Sequence, residues 1–586
     1  MPPSAAPGAA ANWVRAAAPR YDRAVQAPHG DPRLLGVVYT PREVTEPMTR
    51  VALAPLLRGR SIDELLALRI CDPAIGEGAF LLAAVAAIAE HLVAAGLPAD
   101  AARTAAARCV HGVDVDPRAV AAARDALGVG AEQLQVGDAL AIDWPAAFPA
   151  AFARGGFDAV IGNPPYVRQE HLAAHKPQLR RFASYDGAAD LYVYFIELAH
   201  QLARPGGRFC LITPNKWLTA AYARALRSHL AAQHSVEGVV DLGRTALFGD
   251  ADAFPCIVWG TTGARAAIDA PIQAARLARG ARIELGAGTP HPRDRWRDDP
   301  WHIDAPGDRE LLEALERRCS PLGSVVPGRP ARGVVTGYNR AFVLDRPARD
   351  RLLAAEPAAA ALIRPFVKGR DLRRWLPAVP ERWILLVDRG TPLAELPAVL
   401  EHLARFRAAL EPRPADWEGA WRGRKSGPYR WYELQDPVGP LVKARAPRLL
   451  YQDIMTAPLC ALDRDGDLVP DTTVWMLPSA DLFLLAVLSS PLYGWYARRR
   501  FPPALNGSMR PKREYLRNFP IADPPADQRA AIEAVVEQRL ALEPARRTGA
   551  VSSAAADAAA LDAALATAVL DAYALSSAER ALIADG

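Results

Sequence analysis

Phe157-Asp-Ala-Val-Ile-Gly-Asn-Pro-Pro-Tyr166 joins a short apolar run to a stiff polar tetrapeptide. The run reads as a buried strand, and Asn163-Pro-Pro-Tyr166 delivers it abruptly into a loop. Pro164 and Pro165 have no N–H to donate and hold φ near one value, so the strand cannot continue. In an open α/β sheet, ligand chemistry sits at such loops, beyond the carboxyl ends of the strands. The Asn163 amide oxygen and the backbone carbonyls of Asn163 and Pro164 are acceptors, and Tyr166 offers a flat apolar face. That combination suits an exocyclic amino group on a planar ring. A proline-rich turn with a packing tyrosine is the plainer alternative.

Upstream, Leu66–Ala74 reads as an apolar strand that runs into Asp72-Pro-Ala-Ile-Gly-Glu-Gly-Ala-Phe80, followed by an Ala-rich helix over Ala79–Ala94. Gly76 and Gly78 permit tight backbone geometry where a ligand comes close. Strand, glycine turn and helix together open a doubly wound sheet. The spacing is not G-x-G-x-x-G and no Lys-Ser/Thr follows, which argues against a triphosphate site. A second strand, Cys109–Val115, ends in Asp114 and Asp116, placed either to hold ribose hydroxyls or to cap the next helix. Leu134–Leu140 is a third strand-like run, carrying Asp138. Before all of these, Thr40-Pro-Arg-Glu43 reads as a helix start, with Thr40 as N-cap and Pro41 at the first helical position.

Downstream, the spacing predicts a helix over Asp190–Ala203, a Pro205-Gly-Gly turn and a strand over Arg208–Thr213. Val236–Leu242 and Pro255–Trp259 bring the count to seven strands. The loop between the last two carries Phe248, either an anchoring side chain or one that stacks on a base.

Half the residues are hydrophobic, yet no stretch has the unbroken apolar length of a membrane span, and Met1–Arg20 has no signal-peptide core. Cys71, Cys109, Cys210, Cys256, Cys319 and Cys460 show neither CxxC nor Cys/His spacing, so buried free thiols are expected, with no disulfide and no metal site. A cytoplasmic, nucleoid-associated protein fits. The net charge is +5, and its distribution is uneven: residues 321–520 carry 31 basic and 20 acidic side chains. Basic excess in one half points to a polyanion there. Trp421-Arg-Gly-Arg-Lys-Ser-Gly-Pro-Tyr-Arg-Trp431 concentrates Arg422, Arg424, Lys425 and Arg430 among aromatics. Arg498-Arg-Arg500 and Arg510-Pro-Lys-Arg513 (Arg510, Lys512, Arg513) are similar. Each is either a phosphate-contacting element or a solvated loop.

Taken in order, these segments resemble the N6-adenine-specific DNA methyltransferases of the Eco57I-like and TaqI-like branch. The resemblance rests on Thr40-Pro, Asp72-Pro-Ala-x-Gly-x-Gly-x-Phe80, Gly-Val-Asp114-Val-Asp, Gly-Asp138 and Asn163-Pro-Pro-Tyr166. Further on, Gly333–Phe342, Ile363–Asp371 and Leu505–Ile521 look like target-recognition segments. It implies S-adenosyl-L-methionine as methyl donor and double-stranded DNA as substrate. Thr40, Asp72, Pro73, Ala74, Gly76 and Gly78 would hold the methionine end and its turn. Asp114 would hold the ribose, Val115 would flank the adenine, and Asp138 would bind the adenine amino group. Asn163, Pro164, Pro165 and Tyr166 would form the catalytic loop, with Tyr166 and Phe248 stacking on the target base.

The implied fold is a seven-stranded doubly wound α/β methyltransferase domain plus a mixed α/β DNA-recognition domain and C-terminal helices. The expected layout is a flexible tail (1–35), the methyltransferase domain (36–265), a connector (266–325), the recognition domain (326–522) and a helical segment (523–586). That segment is expected as helices over Gln528–Leu542 and Ala554–Leu575, separated by a break at 544–549. Few residues precede Gly36, so any restriction endonuclease partner is expected to be a separate chain. Competing readings are a methyltransferase for an amino group of RNA or a protein glutamine, one for cytosine N4 of DNA, and a non-enzymatic DNA-binding protein.

Overall fold

The structure, a computed structural model, describes residues 40–173, 175–243, 254–263, 270–278, 280–297, 300–504, 507–548 and 553–585. It divides into two compact units, one ending at Ile303 and one beginning at Asp304.

The first unit is built on a sheet of nine strands: β1 Ile70–Asp72, β2 Val110–Asp114, β3 Leu134–Val136, β4 Phe157–Gly162, β5 Ala203–Pro214, β6 His234–Asp241, β7 Pro255–Thr262, β8 Ile272–Arg276 and β9 Thr289–His291. Their spatial order is β3-β2-β1-β4-β5-β7-β6-β8-β9. Strands β1 to β5 pair in parallel, and β7 enters antiparallel between β5 and β6. The strand order reverses between β1 and β4, and that crevice is where a doubly wound sheet takes its ligand. All six residues of β4 are buried, as a strand covered on both faces requires. One face is covered by the helices Arg42–Leu57 and Ala79–Ala94, through Val44, Met48, Leu81, Val85 and Ile88. The other is covered by the helix Tyr192–Leu202, through Tyr192, Val193 and Ile196.

Several sequence expectations change. The sheet has nine strands, not seven, because β8 pairs in parallel with β6 and β9 pairs antiparallel with β8. The first strand begins at Ile70, not Leu66. Ser61 and Glu64 form a reciprocal capping box that starts a short helix, Ile62–Leu66, ahead of it. Pro205-Gly-Gly is not a turn between helix and strand. It lies inside β5 as an irregularity: Phe157 pairs with Ala203 but Ala159 pairs with Arg208, so β5 bulges against β4. Thr40 is not an N-cap. The cap is Pro41 and the helix begins at Arg42.

The second unit carries two four-stranded sheets. One orders Ala331–Arg332, Val474–Leu477, Arg448–Gln452 and Cys460–Asp463; the other orders Val343–Leu344, Trp383–Leu385, Ile363–Val367 and Val469–Pro470. Ile532, Val536, Leu540, Leu565 and Val569 of the C-terminal helices share a core with Trp375, Leu449 and Trp495. The expected break at 544–549 is absent as far as Thr548: one helix runs from Ala526 to Thr548 with Pro544 inside it. Proline removes one helical hydrogen bond. The fully buried Glu543 offsets that by accepting from both Arg539 and Arg547, each at 2.9 Å. Arg547 also donates to the carbonyls of Leu376 and Pro377. Among the described residues, no helix is long and apolar enough to cross a membrane. All six cysteines are free, and only Cys319 is not fully buried.

Candidate active site

The parallel strands bring the motif residues to one edge. Asp72 is in register with Gly112, Cys71 with Val160 and Asp114 with Val136, so the carboxyl ends of β1, β2, β3 and β4 open on the same side. Asp72 is fully buried. Its Oδ1 accepts from the N–H of Ala74 at 3.0 Å, while Oδ2 is buried with no hydrogen-bond partner. Burial pushes this carboxyl up to about 8; the Ala74 N–H opposes the shift and the nearby Asp114 adds to it. Gly162, at the end of β4, lets the strand pass this carboxylate. A Cβ there would lie 2.5 Å from Asp72 Oδ1.

The turn after β1 is stitched to β2. Gly76 N–H donates to Asp114 Oδ2 at 2.8 Å, and Ile75 N–H donates to the Val113 carbonyl at 3.2 Å. Gly78, with φ +84°, starts the helix Ala79–Ala94, and a Cβ there would press on Ala123 at 3.2 Å. Asp114 ends β2 and Asp116 follows it, and only one of the two caps the next helix. Asp116 caps the helix Pro117–Leu127 by accepting from Arg118 N–H at 2.9 Å. Asp114 instead accepts from the backbone of Gly76 and Asp116. Beside it Val115, just beyond the carboxyl end of β2, is 60% exposed. Asp138 is half-buried, accepts from Leu140 N–H at 2.9 Å, and follows Gly137, whose N–H bonds the Asp114 carbonyl at 2.9 Å.

At the end of β4, Asn163 Nδ2 donates to Thr40 Oγ1 at 3.0 Å across 123 residues of sequence. Asn163 Oδ1 is buried and has no partner. A buried acceptor left unpaired costs about 1–3 kcal/mol, so such an atom in a loop beside a crevice marks a place for a donor from outside the chain. Pro164 is buried, and Pro165 and Tyr166 are half-buried. The Tyr166 hydroxyl points inward, where burial and the neighbouring Cys256 raise its pKa, so it stays protonated. The loop returns to the fold through Asp190, which accepts from Gln169 N–H at 2.9 Å, and through Leu191 N–H to the Val167 carbonyl at 3.0 Å.

Sequence reasoning missed two supports of this edge. Asp190 fastens the loop after Tyr166, and Asp241, at the end of β6, accepts from Asn215 Nδ2 at 3.1 Å and Gly243 N–H at 3.0 Å. A strand ending in Asp, the signal that flagged Asp114, was present at Asp241 as well. Phe248 lies outside the described residues.

The second unit sorts the basic candidates. Arg422, Lys425, Arg430 and Arg513 are exposed, and Arg510 and Lys512 are half-buried. Arg424 is a correction: it is 4% exposed and donates to the carbonyls of Leu410, Thr336, Glu433, Arg430 and Trp431. Its guanidinium holds the loop together and has no donor free for a phosphate. Arg424→Ala is therefore expected to lower stability by about 3 kcal/mol or more, since several buried carbonyls lose their donor at once; urea denaturation checks this. Arg499 and Arg500 are likewise engaged, with Asp308 at 2.8 Å and Asp304 at 3.0 Å. Backbone bonds between Met455 and Met509, and Gln452 Nε2 donating to the Gly369 carbonyl at 2.7 Å, tie two of the sequence segments singled out above to the strand Arg448–Gln452 and the turn after it.

A doubly wound sheet with an acidic residue ending β1 and another ending β2, a glycine turn between them and Asn-Pro-Pro-Tyr after β4 is the arrangement that the sequence resemblance implied. Residues 108–248 match the model of the Eco57I restriction-modification methylase family, and the resemblance read from the motifs is borne out. The type II methyltransferase M.PaeR7I of Pseudomonas aeruginosa is 28% identical over 401 residues, covering 64% of this chain and 66% of that protein. M.BstVI of Geobacillus stearothermophilus, also a type II methyltransferase, is 24% identical over 550 residues, covering 87% of this chain and 93% of the other. Among solved structures, the type IIL restriction-modification enzyme MmeI superposes with a TM-score of 0.63 at 16% identity, over 94% of this chain and 78% of that one, a likeness of fold. The chain is thus a methyltransferase of the restriction-modification type, and its cofactor is S-adenosylmethionine. The residues present fit that group: Asp72 Oδ2 is a buried acceptor without a partner, and Val115 is an open apolar face beside Asp114.

Proposed function

We propose that this chain is a site-specific DNA methyltransferase, moving a methyl group from S-adenosylmethionine to N6 of an adenine turned out of duplex DNA. The observation that carries this reading is the Asn163 side-chain oxygen: buried, unpartnered and anchored through its amide nitrogen at the switch point of the sheet. An amino group on a planar ring supplies the donor that this atom lacks.

In this reading Asp72 Oδ2 receives the ammonium of the methionine end, with Thr40, Pro73, Ala74, Gly76 and Gly78 shaping the turn around it. Asp114 receives the ribose hydroxyls, Val115 covers one face of the cofactor's adenine and Asp138 accepts from its amino group. The cofactor supplies an electrophilic methyl group. Asn163 Oδ1 and the Pro164 carbonyl accept the two N6 hydrogens of the target, turning the nitrogen lone pair toward that methyl. Pro165 keeps the loop stiff. The ring of Tyr166, with Phe248, covers the everted base. Extrusion costs a few kcal/mol, which pocket contacts return. Transfer then depends on positioning more than on a strong base.

The exposed Arg422, Lys425, Arg430 and Arg513, with Arg510 and Lys512, contact DNA phosphates. The chain acts in the cytoplasm at the nucleoid, as the modification component of a restriction-modification or related defence system, with any endonuclease encoded separately.

Incubation with duplex DNA and labelled cofactor, followed by single-molecule sequencing, tests the reading. N6-methyladenine in one sequence context is expected. Label found only in cytosine, RNA or protein would replace this reading with one of its competitors. Asp114→Ala is expected to weaken cofactor binding about 10–100-fold, the equivalent of one hydrogen bond to a charged group. An unchanged dissociation constant by calorimetry would remove Asp114 from the ribose.

A further inference from the structure

We infer that Thr40 is a positioning residue for Asn163: by anchoring the amide nitrogen, it holds the side-chain oxygen toward the nucleobase amine. The inference rests on the function proposed above and gives Thr40 a task beyond the cofactor contact assigned to it there.

An asparagine amide is nearly symmetric in shape, and rotation about its last bond exchanges a carbonyl oxygen for an NH2 group. In the catalytic loop the two ends are not equivalent. One meets Thr40 Oγ1 at 3.0 Å and the other is buried without a partner. A hydroxyl can accept or donate, but only with Nδ2 on Thr40 does an acceptor face the open end. The reverse orientation would bury an NH2 group there and set it against the two hydrogens of the target amine.

Thr40 is itself held firmly. It is 7% exposed and precedes Pro41, the cap of the helix Arg42–Leu57. That helix buries Val44, Met48 and Ala52 in the same core as Ile161 of β4, two residues before Asn163. The anchor and the strand that carries Asn163 therefore belong to one packed body.

The test compares Thr40→Val, which keeps the shape and removes the hydroxyl, with Thr40→Ser, which keeps the hydroxyl. At saturating cofactor and DNA, where any loss of cofactor affinity is masked, the single-turnover methylation rate of Thr40→Val is expected to fall about tenfold or more. Thr40→Ser is expected to restore most of the lost rate. In cofactor-free protein labelled at asparagine, the Asn163 side-chain NH2 resonance (assigned by its loss in Asn163→Ala) should exchange slowly in the wild type and fast in Thr40→Val. Weakened cofactor binding with an unchanged rate at saturation would leave Thr40 with the cofactor alone and overturn the inference. So would a Thr40→Ser protein as slow as Thr40→Val, or an Asn163 resonance indifferent to residue 40. A wild-type protein that methylates no DNA would instead count against the proposed function, and the resonance would still decide the role of Thr40.

Discussion

Asn163→Ala is expected to reduce the rate of methyl transfer by about 10²–10³-fold, the loss typical of removing one preorganised polar contact to the reacting group. Binding of duplex DNA should stay within a few-fold of wild type, because phosphate contacts dominate affinity. The reason lies in how the site is built. Asn163 Oδ1 is buried and unpaired, and its nitrogen is tied to Thr40. Alanine removes the acceptor and leaves the Thr40 hydroxyl facing a small void, while the cofactor contacts proposed for Asp72 and Asp114 are untouched. Rapid-quench assays with labelled cofactor read the rate, and fluorescence anisotropy reads the DNA affinity. Normal turnover by Asn163→Ala would detach the catalytic role from this residue.

Asp72→Asn is expected to change the pH dependence of stability in the cofactor-free protein. A free aspartate titrates near 3.9, whereas burial holds Asp72 at about 8 in the folded chain. Between those values the folded state binds the proton that the unfolded state has released. Stability attributable to this group is therefore full below about pH 4 and lost as the pH rises toward 8. The asparagine variant keeps an oxygen for the Ala74 N–H and has nothing to titrate. Its stability relative to wild type should rise by a few kcal/mol between pH 5 and pH 8. His111 must be removed from the comparison: burial lowers its pKa to about 4, so its own contribution grows as the pH rises from there. Subtracting one protein's curve from the other's cancels it. In the proposed reading, an ammonium beside Oδ2 favours the ionised carboxylate, so saturating cofactor should flatten the wild-type curve. Parallel denaturation curves at every pH would show that Asp72 does not carry the buried proton.

These expectations draw on different levels of the molecule. The strands carrying Asp72, Asp114 and Asn163 were legible because each is a short apolar run ended by Gly, Pro or Asp, and such punctuation acts locally. The helix Ala79–Ala94 was legible to the residue for the same reason, since a glycine turn starts it and a near-continuous Ala/Leu stretch sustains it. Where the reading slipped, a weak local signal had been overridden. The capping box Ser61-Ile-Asp-Glu64 took the start of the expected first strand. The bulge at Pro205-Gly-Gly stayed within β5 because β4 and β7 pair with the residues after it. Pro544 stayed helical because ion pairs with Glu543 support the turns on either side.

The basic residues teach the same lesson from the opposite direction. Arg422, Arg424, Lys425 and Arg430 are indistinguishable as letters. Arg424 is set apart only by five carbonyls, those of Arg430, Trp431 and Glu433 just beyond it and those of Leu410 and Thr336 from further off, which hold its guanidinium inside while the others stay exposed.

By itself the sequence determined the class of sheet, the order of its motif-bearing strands and the residue types at their ends, because hydrophobic runs and Gly/Pro punctuation are properties of neighbours along the chain. Tertiary structure alone decided that Asp114 accepts from Gly76, 38 residues away, that Arg424 is buried, and that Thr40 meets Asn163 across 123 residues. Those outcomes depend on which groups distant in sequence compete for the same hydrogen bond, and no local pattern encodes that competition.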